Sequence, residues 1–251
     1  MLELSGVTLS FGGVYAINGL DLTVKDGEIT ALIGPNGAGK TSALNVVSRF
    51  YQPQEGSVTY RGTDLLSLPP HRLVGLGVAR SFQNVALFAN LTVLENLMIG
   101  ADHVRPAGLF ANSFRLPRHR RHERLAKERA RDALEFMRID ALRDRLAGEL
   151  SFGDQKLVDM ARALTAAPTL VLLDEPAAGL ADGQREWLST AIAEVPRAYD
   201  ASVVLIDHDM ELVLGVSSHV VVMDFGRKIA EGTPQEVREN PRVLAAYLGE
   251  E

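Results

Sequence analysis

A glycine-rich segment carries the strongest chemical signal in this 251-residue sequence. The pattern G-x-x-x-x-G-K-[ST] is met at every required position by Gly34, Pro35, Asn36, Gly37, Ala38, Gly39, Lys40 and Thr41. Glycines let backbone N–H groups turn inward around a phosphate. Lys40 supplies a mobile positive charge, the Thr41 hydroxyl can bind Mg²⁺, and Ser42 follows at the start of the same helix. The segment predicts a nucleoside triphosphate site; the alternative is a structural glycine turn.

Two carboxylates follow a second apolar run. Asp174 and Glu175 come directly after Leu170–Leu173, a strand-sized segment. One carboxylate helps to hold Mg²⁺, which keeps waters and phosphate oxygens as its other ligands. The adjacent carboxylate can polarise an attacking water as general base. We assign Asp174 to the ion and Glu175 to the water, although such a pair can also be an ordinary strand exit.

Two further positions point to the same chemistry. His208 follows the apolar run Val203–Ile206 and Asp207, at a carboxyl end where ligands bind in parallel sheets. A lone histidine is more often structural, but this place favours a role in sensing the γ-phosphate and orienting the water. Ser151 precedes a strong helical pattern that runs through Leu164, so it is a plausible N-cap beside free N–H groups; an ordinary cap is the alternative.

The elements that must position these residues follow from hydrophobic periodicity. The predicted strands are Leu2–Leu9, Leu20–Val24, Ile29–Ile33, Gly56–Tyr60, Leu170–Leu173, Val203–Ile206, Val220–Met223 and Lys228–Glu231. The first of them are antiparallel and lead into a strand, the glycine-rich loop and a helix from near Thr41. Helices separate the apolar strands Leu170–Leu173 and Val203–Ile206, which predicts a parallel sheet. The last two strands form a hairpin, and a short helix ends at Leu248.

The segment from about 91 to 148 has a different character. Thr92–Ile99 and Glu123–Met137 read as helices, with an irregular Pro106–Pro117 between them. The sequence from Arg118 to Arg131 contains seven Arg or Lys residues and only two acidic residues. This excess of positive charge indicates a solvated helix face or, alternatively, a contact with anionic headgroups or a partner loop. We therefore predict a single α/β domain over 1–251. Its core, with the antiparallel strands, spans 1–90 and 150–251, and a helical subdomain spans 91–149.

Composition excludes several classes of protein. The chain is 46% hydrophobic and 23% charged, with a net charge of −6, which is unlike disordered, collagenous or long coiled-coil chains. Without cysteine there is no disulfide framework, thiolate metal site or cysteine nucleophile. The modest acidity gives no reason to expect nucleic acid. We see neither a signal peptide nor an apolar run of about 20 residues. We expect a soluble, cytoplasmic protein with at most a peripheral membrane role.

Together these residues resemble the nucleotide-binding subunit of an ATP-binding cassette (ABC) transporter, from Phe11 to Leu248. The family signature LSGGQ corresponds to 150–154, where Ser151 and Gly153 are kept and Phe152 and Asp154 are departures. The resemblance implies a P-loop NTPase (RecA-like) core, ATP and Mg²⁺ as cofactors, and Ser151, Gly153 and Asp154 near the γ-phosphate. It also implies that Phe11 stacks on adenine and that Gln83 links Mg²⁺ to the membrane subunit.

A second departure lies in the loop after the two carboxylates. The family usually carries aspartate where this chain has Ala181, with Asp182 one place later. This loop crosses the dimer interface in the family, so the departure bears on communication between the two ATP sites.

Within the superfamily, the chain is most similar to the larger ATPase of branched-chain amino acid uptake systems. The supporting stretches are Phe11-Gly12-Gly13, 175–180, 207–210 and the ending EGTPQEVRENPRVLAAYLGE, together with the insertion at about 102–137. Systems for urea, short amides or aromatic acids, and lipopolysaccharide export, are the alternatives.

The resemblance further implies an assembly. Two such subunits face head to tail, and each ATP lies between one phosphate loop and the other chain's Ser151, with Glu175 as base. The expected partners are a paralogous second ATPase (a homodimer is possible), two permease subunits and, indirectly, a periplasmic solute-binding protein, on the cytoplasmic side of the bacterial inner membrane. Rival classes are a soluble ABC ATPase of repair or translation, and a GTPase or small-molecule kinase, for which the Asn-Lys-x-Asp guanine motif is missing.

Overall fold

The computed structural model describes residues 1–81, 85–101 and 117–248 of the chain. Within these residues, two sheets are present. The smaller one is antiparallel, with the strand order β2-β1-β4-β5. Its strands are β1 (Leu2–Phe11), β2 (Val14–Val24), β4 (Glu55–Tyr60) and β5 (Thr63–Asp64).

The larger sheet carries the phosphate loop and the acidic strand ends. Its order is β10-β9-β3-β8-β7-β6, parallel except for β10, which runs antiparallel to β9 at one edge. Its strands are β3 (Ile29–Ile33), β6 (Val78–Ser81), β7 (Leu170–Asp174), β8 (Ser202–Ile206), β9 (His219–Asp224) and β10 (Arg227–Gly232). Since parallel strands end at the same edge, the residues after β3, β7 and β8 meet there.

Helices cover this sheet. They are α1 (Lys40–Val47), α2 (Val93–Ala101), α3 (Pro117–Phe136), α4 (Phe152–Thr165), α5 (Asp182–Tyr199), α6 (Met210–Val216), α7 (Pro234–Arg238) and α8 (Pro241–Leu248). Successive strand residues point to opposite faces: Leu170 and Leu172 join the core shared with α1 and the small sheet, whereas Val171 and Leu173 join the core beneath α2–α5. Burial on both faces explains the continuous apolar runs.

Hydrogen bonds from α4 and α5 help to fix the helices α2 and α3 to the rest of the molecule. Thr165 Oγ1 at the end of α4 donates a hydrogen bond to Leu97 O in α2, at 3.0 Å. Trp187 Nε1 on α5 donates to Met137 O, at 2.9 Å, and the Arg138 guanidinium lies 3.8 Å from the centre of the Trp187 ring. Because Trp187 is the only tryptophan of the sequence, its fluorescence reports on the joint between α3 and α5.

Most predicted elements are confirmed, and two predicted starting points are wrong. Strand β2 starts at Val14 and not at Leu20, because it pairs with β1 as far as Phe11 through irregular register steps that break the alternation of side chains. Helix α3 starts at Pro117 and not at Glu123; proline is well suited to the first helical position, where no N–H partner is needed. The predicted irregular segment Pro106–Pro117 falls almost wholly outside the described residues.

Two strands were not predicted, β5 and β6. Strand β6 (Val78–Ser81) is too short, and too interrupted by Arg80, to give a periodic signal. In the part of the chain that the structure describes, no helix is long and apolar enough to cross a membrane.

Candidate functional site

The glycine-rich loop is held in place by close backbone approaches. Gly34 has a φ of +146°, and a Cβ there would lie 2.0 Å from Met223 O. Gly39 has a φ of +101°, and a Cβ there would lie 2.1 Å from Ala16 O. Any side chain at either position would collide with fixed carbonyl groups, so the motif's glycines are required by the packing of the loop itself.

The loop opens into helix α1 without a capping side chain. Gly39 is the N-cap residue and provides no side-chain hydrogen bond, so the first N–H groups of α1 remain available to an anion. Lys40 Nζ donates to Gly34 O at 2.7 Å and to Pro35 O at 2.8 Å, which folds its ammonium over the loop. Burial lowers the pKa of Lys40, and the charges of Glu175 and Asp174 oppose that shift. This arrangement suits a multiply charged phosphate chain.

Asp174 ends strand β7 directly behind the loop. Its side chain is 1% exposed, and its Oδ1 lies 3.4 Å from Thr41 Oγ1. Its Oδ2 accepts a hydrogen bond from Arg80 Nη2 at 2.8 Å in a buried ion pair. The second guanidinium nitrogen of Arg80 donates to Asn45 Oδ1 and Ser48 Oγ of α1. Arg80 therefore fixes the Asp174 carboxylate with Oδ1 toward Thr41. Two hard oxygen donors so placed fit a magnesium ion that takes its other ligands from phosphate and water.

Glu175 and His208 lie at the ends of neighbouring strands. Asp174 pairs with Ile206 across β7 and β8, and the Glu175 N–H donates to Ile206 O at 2.7 Å. His208 is 68% exposed, and its Nδ1 is 3.6 Å from Oδ1 of buried Asp207. Both residues thus follow strands that end at the same edge of the sheet as β3, the strand that leads into the phosphate loop. A carboxylate and an imidazole at this edge can hold and deprotonate a water molecule.

The predicted Ser151–Asp154 segment starts helix α4. Ser151 is the N-cap, and its Oγ accepts from Asp154 N at 3.1 Å and donates to Asp154 Oδ2 at 2.7 Å. Asp154 Oδ1 accepts from Gln184 Nε2 at 2.9 Å, and Gln184 Oε1 accepts from Ala181 N at 3.4 Å. A Cβ on Gly153 would lie 2.4 Å from Gln184 Oε1. The start of α4 is therefore bound to the loop that contains Ala181.

The remaining predicted residues are less closely grouped. Phe11 ends β1, is 50% exposed and makes an edge contact with Tyr51, 5.1 Å between ring centres. Ser42 lies half-buried in α1. Gln83 lies outside the described residues. Among the described residues, no hydrogen bond or ion pair joins the Ser151–Asp154 segment to the phosphate loop of the same chain.

Three residues that contact the candidate site residues were not predicted: Arg80, Lys156 and Gln184. Each acts through a partner distant in sequence, which spacing alone does not reveal. Two sequence features could have pointed to them. Arg80 is a charged residue within a short apolar segment, and Lys156 is a lysine on the buried side of helix α4. Lys156 Nζ donates to the carbonyl of Glu175.

Comparison with known proteins gives a consistent result. Residues 17–178 match the family model described as ABC transporter, and residues 227–251 match the model described as branched-chain amino acid ATP-binding cassette transporter.

Curated relatives match over the full length. The chain is 41% identical to the high-affinity branched-chain amino acid transport ATP-binding protein BraF of Pseudomonas aeruginosa, over 100% of this chain and 98% of that protein. It is 39% identical to the corresponding protein LivG of Escherichia coli K12, with the same coverage.

Solved structures agree. A nucleotide-free ATP-binding cassette from an ABC transporter superposes with a TM-score of 0.83 at 33% identity, and an ATP-binding cassette in its ADP conformation with a TM-score of 0.84 at 34% identity. Each comparison covers 100% of this chain and 99% of the other.

Proposed function

Because the chain belongs to the ABC transporter family, as an ATP-binding cassette and ATPase, we propose that it powers the import of branched-chain amino acids or a similar small polar solute. The observation that carries this proposal is the full-length identity of 39–41% to branched-chain amino acid transport ATP-binding proteins. Urea, short amides and aromatic acids are the alternative solutes, and lipopolysaccharide export is the alternative direction.

We infer the reaction at the phosphate loop from the placement of these residues. Backbone N–H groups of the loop and the Lys40 ammonium bind the phosphates, and Phe11 provides an exposed aromatic face for the adenine. Magnesium, held by Thr41 and Asp174 with Gln83 as a further ligand, would neutralise phosphate charge. Glu175 takes a proton from the attacking water, and His208 orients that water toward the γ-phosphate.

We propose that the site is completed by a second subunit. Ser151 is exposed at the start of α4, which supports a head-to-tail pair in which Ser151, Gly153 and Asp154 of one chain face the ATP of the other. A paralogous ATPase is the expected second subunit, and a homodimer is possible. ATP then closes the pair, and hydrolysis lets it open.

We further propose the surroundings of this pair. Two integral-membrane permease subunits receive the motion, and a periplasmic solute-binding protein delivers the solute, so the chain works at the cytoplasmic face of the bacterial inner membrane. Within the chain, 1–90 and 150–251 form the ATPase core and 91–149 the helical subdomain, and the segment from about 84 to 97 faces the permease.

The test is uptake by a reconstituted transporter. The chain, its candidate paralogue, two permease subunits and the solute-binding protein are assembled in liposomes, and uptake of labelled leucine is compared with that of urea, with and without enclosed ATP. We expect ATP-dependent leucine uptake that other branched-chain amino acids inhibit. ATP-dependent uptake of urea alone would contradict the substrate class. An ATPase rate of the complex that does not depend on the solute or on the solute-binding protein would contradict the role in import.

A further inference from the structure

Besides the hydrogen bond between Asp154 and Gln184, helix α4 contacts the residue that follows strand β7, Glu175, through Lys156. This side chain is 7% exposed, and its Nζ donates a hydrogen bond of 2.6 Å to the main-chain carbonyl of Glu175. On its way it passes the ring of Phe152, with the ammonium 5.6 Å from the ring centre. A buried lysine that ends on a backbone carbonyl is costly, because the ammonium loses water, so its target is informative.

The target has an unusual backbone. Glu175 has a φ of +51°, a left-handed conformation that is strained for a residue with a side chain and persists only where the surroundings fix it. Its N–H is held by Ile206 O and its carbonyl by Lys156 Nζ. The two bonds act on opposite sides of the same residue, so together they fix the direction in which the Glu175 carboxyl group leaves the main chain.

The charges around Lys156 agree with this role. Burial lowers the pKa of Lys156, and the charges of Asp207, Glu175, Asp159 and Asp174 oppose that shift. The Lys156 side chain thus lies among four acidic side chains at the edge of the sheet from which the Glu175 side chain extends. Its neighbours are held separately: Asp174 pairs with Arg80, and Asp207 accepts from the N–H groups of Ala177 and Asp209.

We propose that Lys156 is a positioning residue for hydrolysis, which holds Glu175 in its left-handed conformation and makes helix α4 and the general base of the same chain move together. The inference rests on the proposed role of Glu175 as the base. Ser151 begins the same helix five positions earlier, so contact of Ser151 with one ATP is transmitted through α4 to the Glu175 that acts on the other ATP.

Two more contacts join the same segments. The Phe152 ring lies against Gly179, where a Cβ would come within 2.9 Å of the ring, and Asp154 binds Gln184. The first turns of α4 are therefore joined at three points to the segment that follows β7, which comprises the loop after β7 and the start of α5, so rotation of α4 requires movement of that segment. Two of the three contacts come from Phe152 and Asp154, the positions at which the sequence departs from the family signature.

The test separates turnover from ATP binding. In the full chain, Lys156→Met is expected to lower kcat by about 10²-fold, because displacing a catalytic group by about 1 Å has an effect of this size. The KM and the Kd for ATP are expected to stay within about threefold of the wild-type values, a change of less than about 0.7 kcal/mol in binding free energy. Lys156→Arg, which restores a charged donor, is expected to bring kcat back to within about tenfold of the wild-type value, which corresponds to roughly 1.4 kcal/mol in the activation free energy. Lys127→Met, the same change on the exposed face of α3, serves as the matched control and is expected to leave both constants unchanged.

Other outcomes would overturn the inference. A wild-type kcat in Lys156→Met would overturn it. Equal losses of turnover and of ATP affinity, which Lys156→Arg does not restore, would also overturn it, because that result is expected when a lysine only stabilises the fold. If Lys156→Met fails to fold, Lys156→Gln, whose donor is one atom shorter, takes its place with the same two expectations. Glu175→Gln is measured beside these variants. If Glu175→Gln keeps full turnover, Glu175 is not the base, and the inference about Lys156 fails with that assignment. If Glu175→Gln loses turnover while Lys156→Met stays fully active, the inference about Lys156 alone is overturned.

Discussion

Glu175→Gln is expected to reduce ATP hydrolysis by about 10²–10⁴-fold, the usual range for removal of a general base, and to leave ATP binding intact. Glutamine keeps the size of the side chain and its place after β7 but cannot accept a proton from water. Affinity is retained because Lys40 and the loop N–H groups bind the phosphates, and removal of a negative charge nearby reduces repulsion. Single-turnover phosphate release, beside ATP titration calorimetry, measures both quantities.

The same variant has a second consequence for assembly. If hydrolysis opens the closed pair, a subunit that binds ATP without hydrolysing it should accumulate as a dimer, visible by light scattering with ATP and not with ADP. Glu135→Gln, the same chemical change on the exposed side of α3, is the control and should behave as wild type. Full turnover in Glu175→Gln would remove Glu175 from the mechanism.

Lys40→Ala is expected to lower ATP affinity by about 10²–10³-fold. One charge pair at 4 Å contributes about 4 kcal/mol at an effective dielectric constant near 20, and every 1.4 kcal/mol is about tenfold in Kd. The ammonium is already partly desolvated and held over the loop by Gly34 O and Pro35 O, so little further ordering is needed when phosphate binds. Calorimetric titration with ATP and with ADP measures the loss.

A thermal shift provides an independent check on Lys40→Ala. Ligand that binds the folded state stabilises it by RT ln(1 + [L]/Kd), so millimolar ATP should raise the unfolding temperature of wild type far more than that of the variant. Lys25→Ala changes an exposed lysine and should keep the full shift. An ATP affinity in Lys40→Ala equal to that of wild type would contradict the role of the phosphate loop.

The nucleotide site was largely predictable because its signal is local. The eight residues of the phosphate loop are contiguous, and each fixed position of the pattern has its own chemical requirement, which Gly34 and Gly39 meet through backbone approaches that exclude a Cβ. The acids at the end of β7 and the histidine after β8 were predicted from strand-sized apolar runs, because strands of a parallel sheet that are buried on both faces form nearly continuous apolar segments. Ser151 as N-cap of α4 followed from its place before a helical pattern.

What stayed hidden depends on contacts between distant residues. Arg80 meets Asp174 across 94 positions, and Gln184 meets Asp154 across 30. No periodicity encodes such pairs, which appear only when the strand order and helix packing are known. The consequence is clearest at Asp154, which departs from the family signature and finds its partner in Gln184. The start of β2 was missed for a related reason, since pairing with β1 outweighs the weak local pattern before Leu20.

The central claim is that each ATP is hydrolysed between two chains, with Ser151 acting on the nucleotide of its partner. The most direct measurement is the ATPase rate per molecule, with Mg²⁺, against protein concentration, for the chain alone and with its candidate paralogue. We predict a rate that rises with concentration or increases sharply when the paralogue is added. A rate independent of both, with a monomer confirmed by light scattering, would show a self-contained site and contradict the account.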